Sequence, residues 1–193
     1  MMKSVRNSAL RLVGLTVGIA LNAPAQPPPP ACQWQGSHQW LSTRPSPLDS
    51  VILTMPALTL TVCYSRPSAR GRSVFDSLAP FGKMWRTGAN EPTTLRLSHK
   101  ATVGGVSLAE GRYLLMTVPR PDRWFVLFFT TAATDPAAMF QNMTEAGRGF
   151  ADVERLDAPV EQFTIRSDFT PAGAALLLEW GVLRARIPVV PQP

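Results

Sequence analysis

The 193-residue chain has only two cysteines and two histidines. Two cysteines cannot staple a chain of this length, so a disulfide-built scaffold is excluded. Cys32, His38, Cys63 and His99 fit no metal-ligand spacing, and the sequence implies neither a metal nor a cofactor. Charged residues are few, at 17%, and form no long block of one sign, while 45% of the chain is hydrophobic. Wholesale disorder is therefore excluded and a real core is implied. No apolar run reaches the roughly 20 residues that a membrane-crossing helix needs. Also missing are a Gly-x-Ser-x-Gly nucleophile elbow, a phosphate-cradling loop and a dinucleotide fingerprint. The chain length suits one domain with a tail.

What is present begins with an address. Lys3, Arg6 and Arg11 lead into the uncharged stretch from Leu12 to Leu21, and Ala23-Pro24-Ala25 follows. Residues 1–25 thus read as a secretory signal cleaved near Ala25, placing the mature protein in the periplasm or outside the cell. Removing them leaves 16 basic against 13 acidic residues. In an oxidising compartment Cys32 and Cys63 are expected to pair, closing a loop of about 30 residues. Residues 26–50, opening Gln26-Pro27-Pro28-Pro29-Pro30, read as an extended, Pro-stiffened lead segment outside the core. One β domain is expected over 51–190.

From Val51 onward the dominant period is two. Leu58, Leu60, Val62 and Tyr64 face one way and Thr59, Thr61 and Cys63 the other. The same alternation recurs in 93–97, 163–166 and 183–187, whereas Trp124–Phe129 and Ala174–Trp180 are apolar on both faces. With 51–55, 101–106 and 112–118, this predicts a mainly β fold: an antiparallel β-sandwich of about nine strands with one or two short helices. Leu60, Val62, Leu95, Leu115, Val126, Ile165 and Leu178 should lie inside. Asp135-Pro136 and Gly147 bracket a helix over 137–146, and Ser73 with Asp76 caps a turn from Val74 to Leu78.

The basic excess is local. Residues 64–96 carry Arg66, Arg70, Arg72, Lys83, Arg86 and Arg96 against Asp76 and Glu91. Residues 64–94 closely resemble the bacterial domain-of-unknown-function family 2911, and within them the run Pro80-Phe81-Gly82-Lys83-Met84-Trp85-Arg86-Thr87-Gly88-Ala89-Asn90-Glu91 is similar to that family's signature at nearly every position. The similarity extends more weakly from about Arg44 to Val189, through Gly111-Arg112-Tyr113, Trp124, Phe163-Thr164-Ile165 and Leu178-Glu179-Trp180. It implies an exported bacterial domain and brings no activity with it.

Function must then come from the residues. Tyr64, Arg66, Arg70, Arg72, Lys83, Trp85, Arg86, Asn90 and Glu91 fall within 28 positions. Guanidinium forks suit carboxylate, phosphate or sulfate, and aromatics supply walls, so one reading is a pocket for a small polar or anionic ligand or a glycan. There Arg66, Arg86 and Asn90 should converge. The other reading is a structural clasp, Arg86 paired with Glu91 and Trp85 and Phe75 as anchors, in a structural or protein-interaction module of the cell envelope. A hydrolase using Glu91 is a third alternative. His38 and His99 are poorly placed to serve a Ser nucleophile, so an enzyme is the lesser expectation, and export disfavours nucleic acid as a partner.

Overall fold

The structure, a computed structural model, describes Cys32 and residues 43–170 and 173–193; the signal and most of the lead segment lie outside the described residues. The period-two segments form nine strands: β1 (Leu48–Met55), β2 (Leu58–Ser65), β3 (Thr94–Leu97), β4 (Ala101–Val103), β5 (Val106–Leu108), β6 (Gly111–Val118), β7 (Arg123–Thr130), β8 (Thr144–Thr170) and β9 (Gly173–Pro191). All pair antiparallel in one open sheet of order β1-β2-β3-β6-β7-β8-β9-β4-β5. Two short helices accompany the strands, a single π-helical turn, Val74–Leu78, and α1, Pro136–Gln141. The fold is mainly β, as the alternation requires. All seven residues expected inside are buried.

The nine strands are partitioned differently from the sequence expectation. Residues 101–106 split at the Gly104–Gly105 turn into β4 and β5, whereas 174–180 and 183–187 merge in the 19-residue β9. Residues 163–166 lie within the 27-residue β8. The reason is a change of phase within a continuous strand. In β9 the core-facing residues are Ala174, Leu176, Leu178 and Trp180, then Leu183, Ala185, Ile187 and Val189, with Gly181 between at φ 55°. A register shift in β8 between Arg155 and Thr164 matches it. Local alternation reads that phase change as two strands.

The same bend gives the sandwich its form. The near half of β8 pairs with β7, and the far half leans over to meet the segment that follows β2. There Phe163 N–H donates to the Pro67 carbonyl at 2.9 Å and Ala69 N–H to that of Glu161 at 2.9 Å, around a Ser68–Gln162 bridge. One bent sheet thus does the work of two. Its interior holds Tyr64, Phe75, Trp85, Trp124, Phe163 and Trp180. On the outer face of β6 and β7, Leu114, Met116, Leu127 and Phe129 are covered by Met139 of α1.

Two boundaries are corrected. Asp135 Oδ1 accepts from Ala137 and Ala138 N–H, each at 3.0 Å, but α1 stops at Gln141 because residues from Thr144 onward are taken up in pairing with β7. The lead segment also does not end at residue 50. β1 begins at Leu48, and Arg44 is buried at 7% exposure. Cys32 is bonded to Cys63 of β2, with Cα atoms 5.7 Å apart. Among the described residues no helix is long and apolar enough to cross a membrane.

Two predictions follow from these constraints. A Cβ at Gly181 would sit 3.2 Å from Val74 Cγ2 in a left-handed backbone, so Gly181→Ala should lower the denaturant midpoint by the equivalent of about 1–3 kcal/mol. Gly105, with nothing within 4 Å, carries only the backbone part of that penalty and is the comparison. Thiol titration of the unreduced, unfolded protein should find no free thiol at Cys32 or Cys63.

Candidate functional site

The polar residues of 64–94 go to several different places. Glu91 is buried, and its partner is Arg44, not Arg86. Arg44 Nη1 donates to Glu91 Oε1 at 2.6 Å and Nη2 to Ser65 Oγ at 2.6 Å, while Ser65 Oγ donates to Glu91 Oε2 at 3.1 Å. The two charged side chains are 3% and 8% exposed. Burial alone would raise the Glu91 pKa. The Arg44 hydrogen bond, the Glu91 backbone amide, the Arg44 charge and Ser65 outweigh it and hold the carboxyl below its ordinary 4.5. Arg44 ties the chain ahead of β1 to the end of the loop, so the expected Arg86–Glu91 clasp is replaced by one reaching 47 residues back.

Tyr64 and Arg66 fasten the end of β2 to the far half of β8. The fully buried Tyr64 Oη accepts from Ile165 N–H at 2.9 Å and donates to Asp49 Oδ2 at 3.2 Å. Its pKa is pushed up to about 12, chiefly by burial, with the Asp49 charge adding and the Ile165 amide and Arg66 opposing. Arg66 Nε donates to the Phe163 carbonyl at 3.2 Å, Nη2 donates to Thr164 Oγ1 at 2.8 Å, and Nη1 lies 3.4 Å from Asp49. Arg72 donates to the carbonyls of Ala69 and Ser68, and Arg70 N–H to Glu161 Oε1. Lys83 is exposed.

Trp85, Arg86 and Asn90 do come together. Trp85 joins the sheet through paired backbone bonds with Thr117, at 2.7 and 2.9 Å. Its ring stacks on Trp180 at 5.4 Å and meets Phe163 edge-on at 4.9 Å, while Nε1 donates to the Gly88 carbonyl. Thr87 and Asn90 adopt left-handed φ of 55° and 58°. Thr87 is held by Oγ1 contacts to the Trp85 carbonyl and Thr117 Oγ1, and by Thr93 Oγ1 donating to its carbonyl. Gly88 must be Gly, because a Cβ would lie 2.9 Å from Thr93 Oγ1 and 3.1 Å from the Ser65 carbonyl. The folded-back loop leaves Arg86 exposed, its Nη1 donating to the Asn90 carbonyl at 2.8 Å and its guanidinium over Phe140 at 5.1 Å.

The product is an open depression of about 380 Å³ walled by Pro67, Leu78, Met84, Trp85, Arg86, Asn90 and Trp180. Arg66 does not line it, so the expected convergence of Arg66 with Arg86 and Asn90 is corrected to Arg86 and Asn90 alone. Pro67, Leu78, Met84 and Trp180 were not singled out from the sequence. Trp180 in particular arrives from 95 positions beyond Trp85, and no local pattern signals that meeting. Among the described residues no group of His, Cys, Asp and Glu is placed to hold a metal ion.

With this geometry in place, comparison with known families yields one result. The family model described as protein of unknown function (DUF2911) matches residues 46–189. No curated protein and no solved structure matches the chain.

The Glu91 arrangement predicts an acid limb of stability. With its pKa lowered on folding, Glu91 contributes stability that is fully present above about pH 4.5 and is lost as pH falls through the lowered value. Denaturant midpoints from pH 7 to pH 3 should therefore fall less steeply for Glu91→Gln than for the wild type. At neutral pH, Glu91→Ala strands a buried guanidinium and should cost about 3–5 kcal/mol.

Proposed function

The chain belongs to this family of proteins of unknown function, and from the geometry of its loop we propose that it is an exported, non-catalytic binding domain whose Trp85–Asn90 loop holds a small anion with a compact apolar body. One observation carries the reading. Among the described residues Arg86, exposed and steered by the Asn90 carbonyl, is the one charged side chain on a depression whose accessible lining is divided about evenly between polar and apolar surface. A guanidinium over such a surface favours one anionic group joined to an apolar remainder. A glycan is less well served, because Trp85 and Trp180 are 8% and 1% exposed and offer little ring face for stacking. The Arg-rich segment supports binding at this depression less broadly than its count suggests, since Arg66 is engaged by the Phe163 carbonyl, Thr164 and Asp49 away from it. Export is supported by the leader pattern and by a disulfide suited to an oxidising compartment.

A hydrolase reading draws no support from Glu91, both of whose carboxylate oxygens are engaged by Arg44 and Ser65. A protein-interaction role has one specific observation in its favour. Phe81 and Met84, at 39% and 51% exposed, flank Lys83 beside the depression.

The test is ligand-induced stabilisation. Benzoate should raise the melting temperature and uncharged benzamide should not. Arg86→Ala should abolish the benzoate effect while shifting the unliganded stability by no more than about 0.5 kcal/mol. Equal responses to both compounds, or a strongly destabilised unliganded Arg86→Ala, would remove the anion-binding reading.

A further inference from the structure

A second cleft lies on the other side of the π-helical turn, also about 380 Å³, between that turn and the bend of the β8–β9 hairpin. Its apolar wall is formed by Val74, Phe75, Pro159, Val160 and Val182, and Gly181 lies at its edge with Val74 and Phe75 packed against its Cα. Its two charged side chains are Arg72 and Glu161. Opposite charges lining one small concavity ordinarily pair, yet no ion pair joins these two among the described residues.

Each is instead held from behind by the backbone. Arg72 donates through Nε to the Ala69 carbonyl at 3.0 Å and through Nη2 to that of Ser68 at 3.2 Å. Glu161 Oε1 accepts from Arg70 N–H at 2.6 Å. Neither Arg72 Nη1 nor Glu161 Oε2 enters a hydrogen bond or ion pair among the described residues. The turn between them, Arg70 and Gly71 at φ 51° and 73°, is thus fixed by the same groups that present the charges.

We propose that this cleft binds a small zwitterion with an aliphatic side chain, an apolar α-amino acid in chemical class. Arg72 takes its carboxylate, Glu161 takes its ammonium, and the Val74–Phe75 and Pro159–Val160 walls take the side chain. The volume accommodates one such molecule with space for a few waters. A singly charged ligand satisfies one side of the cleft and leaves the other charge without a partner, which is the source of discrimination. This assignment is independent of the Arg86 site.

L-Leucine is the probe, compared by titration calorimetry on the whole protein with N-acetyl-L-leucine and L-leucinamide, each lacking one of the two charges. Leucine should bind at least tenfold more tightly than either analogue. Arg72→Gln and Glu161→Gln should each weaken leucine at least tenfold, and the latter keeps an oxygen to accept from Arg70 N–H. Arg96→Gln, an exposed change of the same charge on β3, should leave binding as it was. Absence of leucine binding at millimolar concentration, analogues binding as well as leucine, or unchanged affinity in folded Arg72→Gln and Glu161→Gln would each overturn the proposal.

Discussion

At Gly181 the β8–β9 hairpin stops being part of the open sheet and becomes its cover. A φ of 55° at that position shifts the inward-facing set of β9 by one residue, so Trp180 on one side and Leu183 on the other both enter the same core. Trp180 then meets Trp85, Phe163 meets Tyr64 and Trp85, and the backbone of 67–69 closes on that of 161–163. Each aromatic contact adds about 0.5–1.5 kcal/mol beyond its buried area. The missing Cβ matters as much as the bend, because Val74 of the π-helical turn packs within 3.2 Å of where it would stand. Both clefts border this junction, one through Trp180 and Leu78, the other through Gly181 and Val74.

The arginines of the chain divide by what they cost. Arg44 is taken out of water and is tolerable there only because Glu91 and Ser65 receive it in good geometry. Arg66 donates to the Phe163 carbonyl and Thr164, and Arg72 to the carbonyls of Ala69 and Ser68, so part of each guanidinium holds backbone around the junction of β2 and β8. On the outer face of the hairpin, Arg166 and Arg184 both reach the fully buried Glu179, and Arg184 also reaches Glu154. Of the basic residues of 64–96, Arg66 and Arg72 thus hold backbone in place, while Lys83, Arg86 and Arg96 are exposed. Arg86 is held by the Asn90 carbonyl and the Phe140 ring.

What could be read from the sequence was what repeats locally. Alternation located Leu60, Val62, Leu95, Leu115, Val126, Ile165 and Leu178 in the core, and Asp135-Pro136 marked the start of α1. What could not be read was long-range pairing. Nothing in residues 26–50 distinguishes Arg44 as the partner of Glu91, because a buried ion pair is set by tertiary geometry and leaves no period. The loop's own composition suggested the nearer Arg86. The extent of β8 was hidden for a related reason: residues 144–160 carry Glu, Arg, Asp, Gly and Pro in a mixture that reads as loop, and pairing with β7 and β9 overrides it.

Among the described residues three non-glycine residues have positive φ, Arg70, Thr87 and Asn90, and all lie within 64–94. For Thr87 the left-handed conformation is the least favourable, since its branched Cβ crowds the backbone. Strain of this kind costs of order 1–3 kcal/mol per residue and persists only when the surroundings over-determine it. Here they do: Thr117, Thr93 and the Trp85 carbonyl fix Thr87, and the narrow space at Gly88 leaves the next residue no alternative. Gly at position 90 would relieve the strain at an exposed side chain, whereas Gly at position 87 would also remove the fully buried Thr87 side chain and its contact with Thr117. Keeping Thr and Asn there fixes the backbone that aims Arg86 across the depression, and this ties the strained backbone of the loop to the guanidinium it presents.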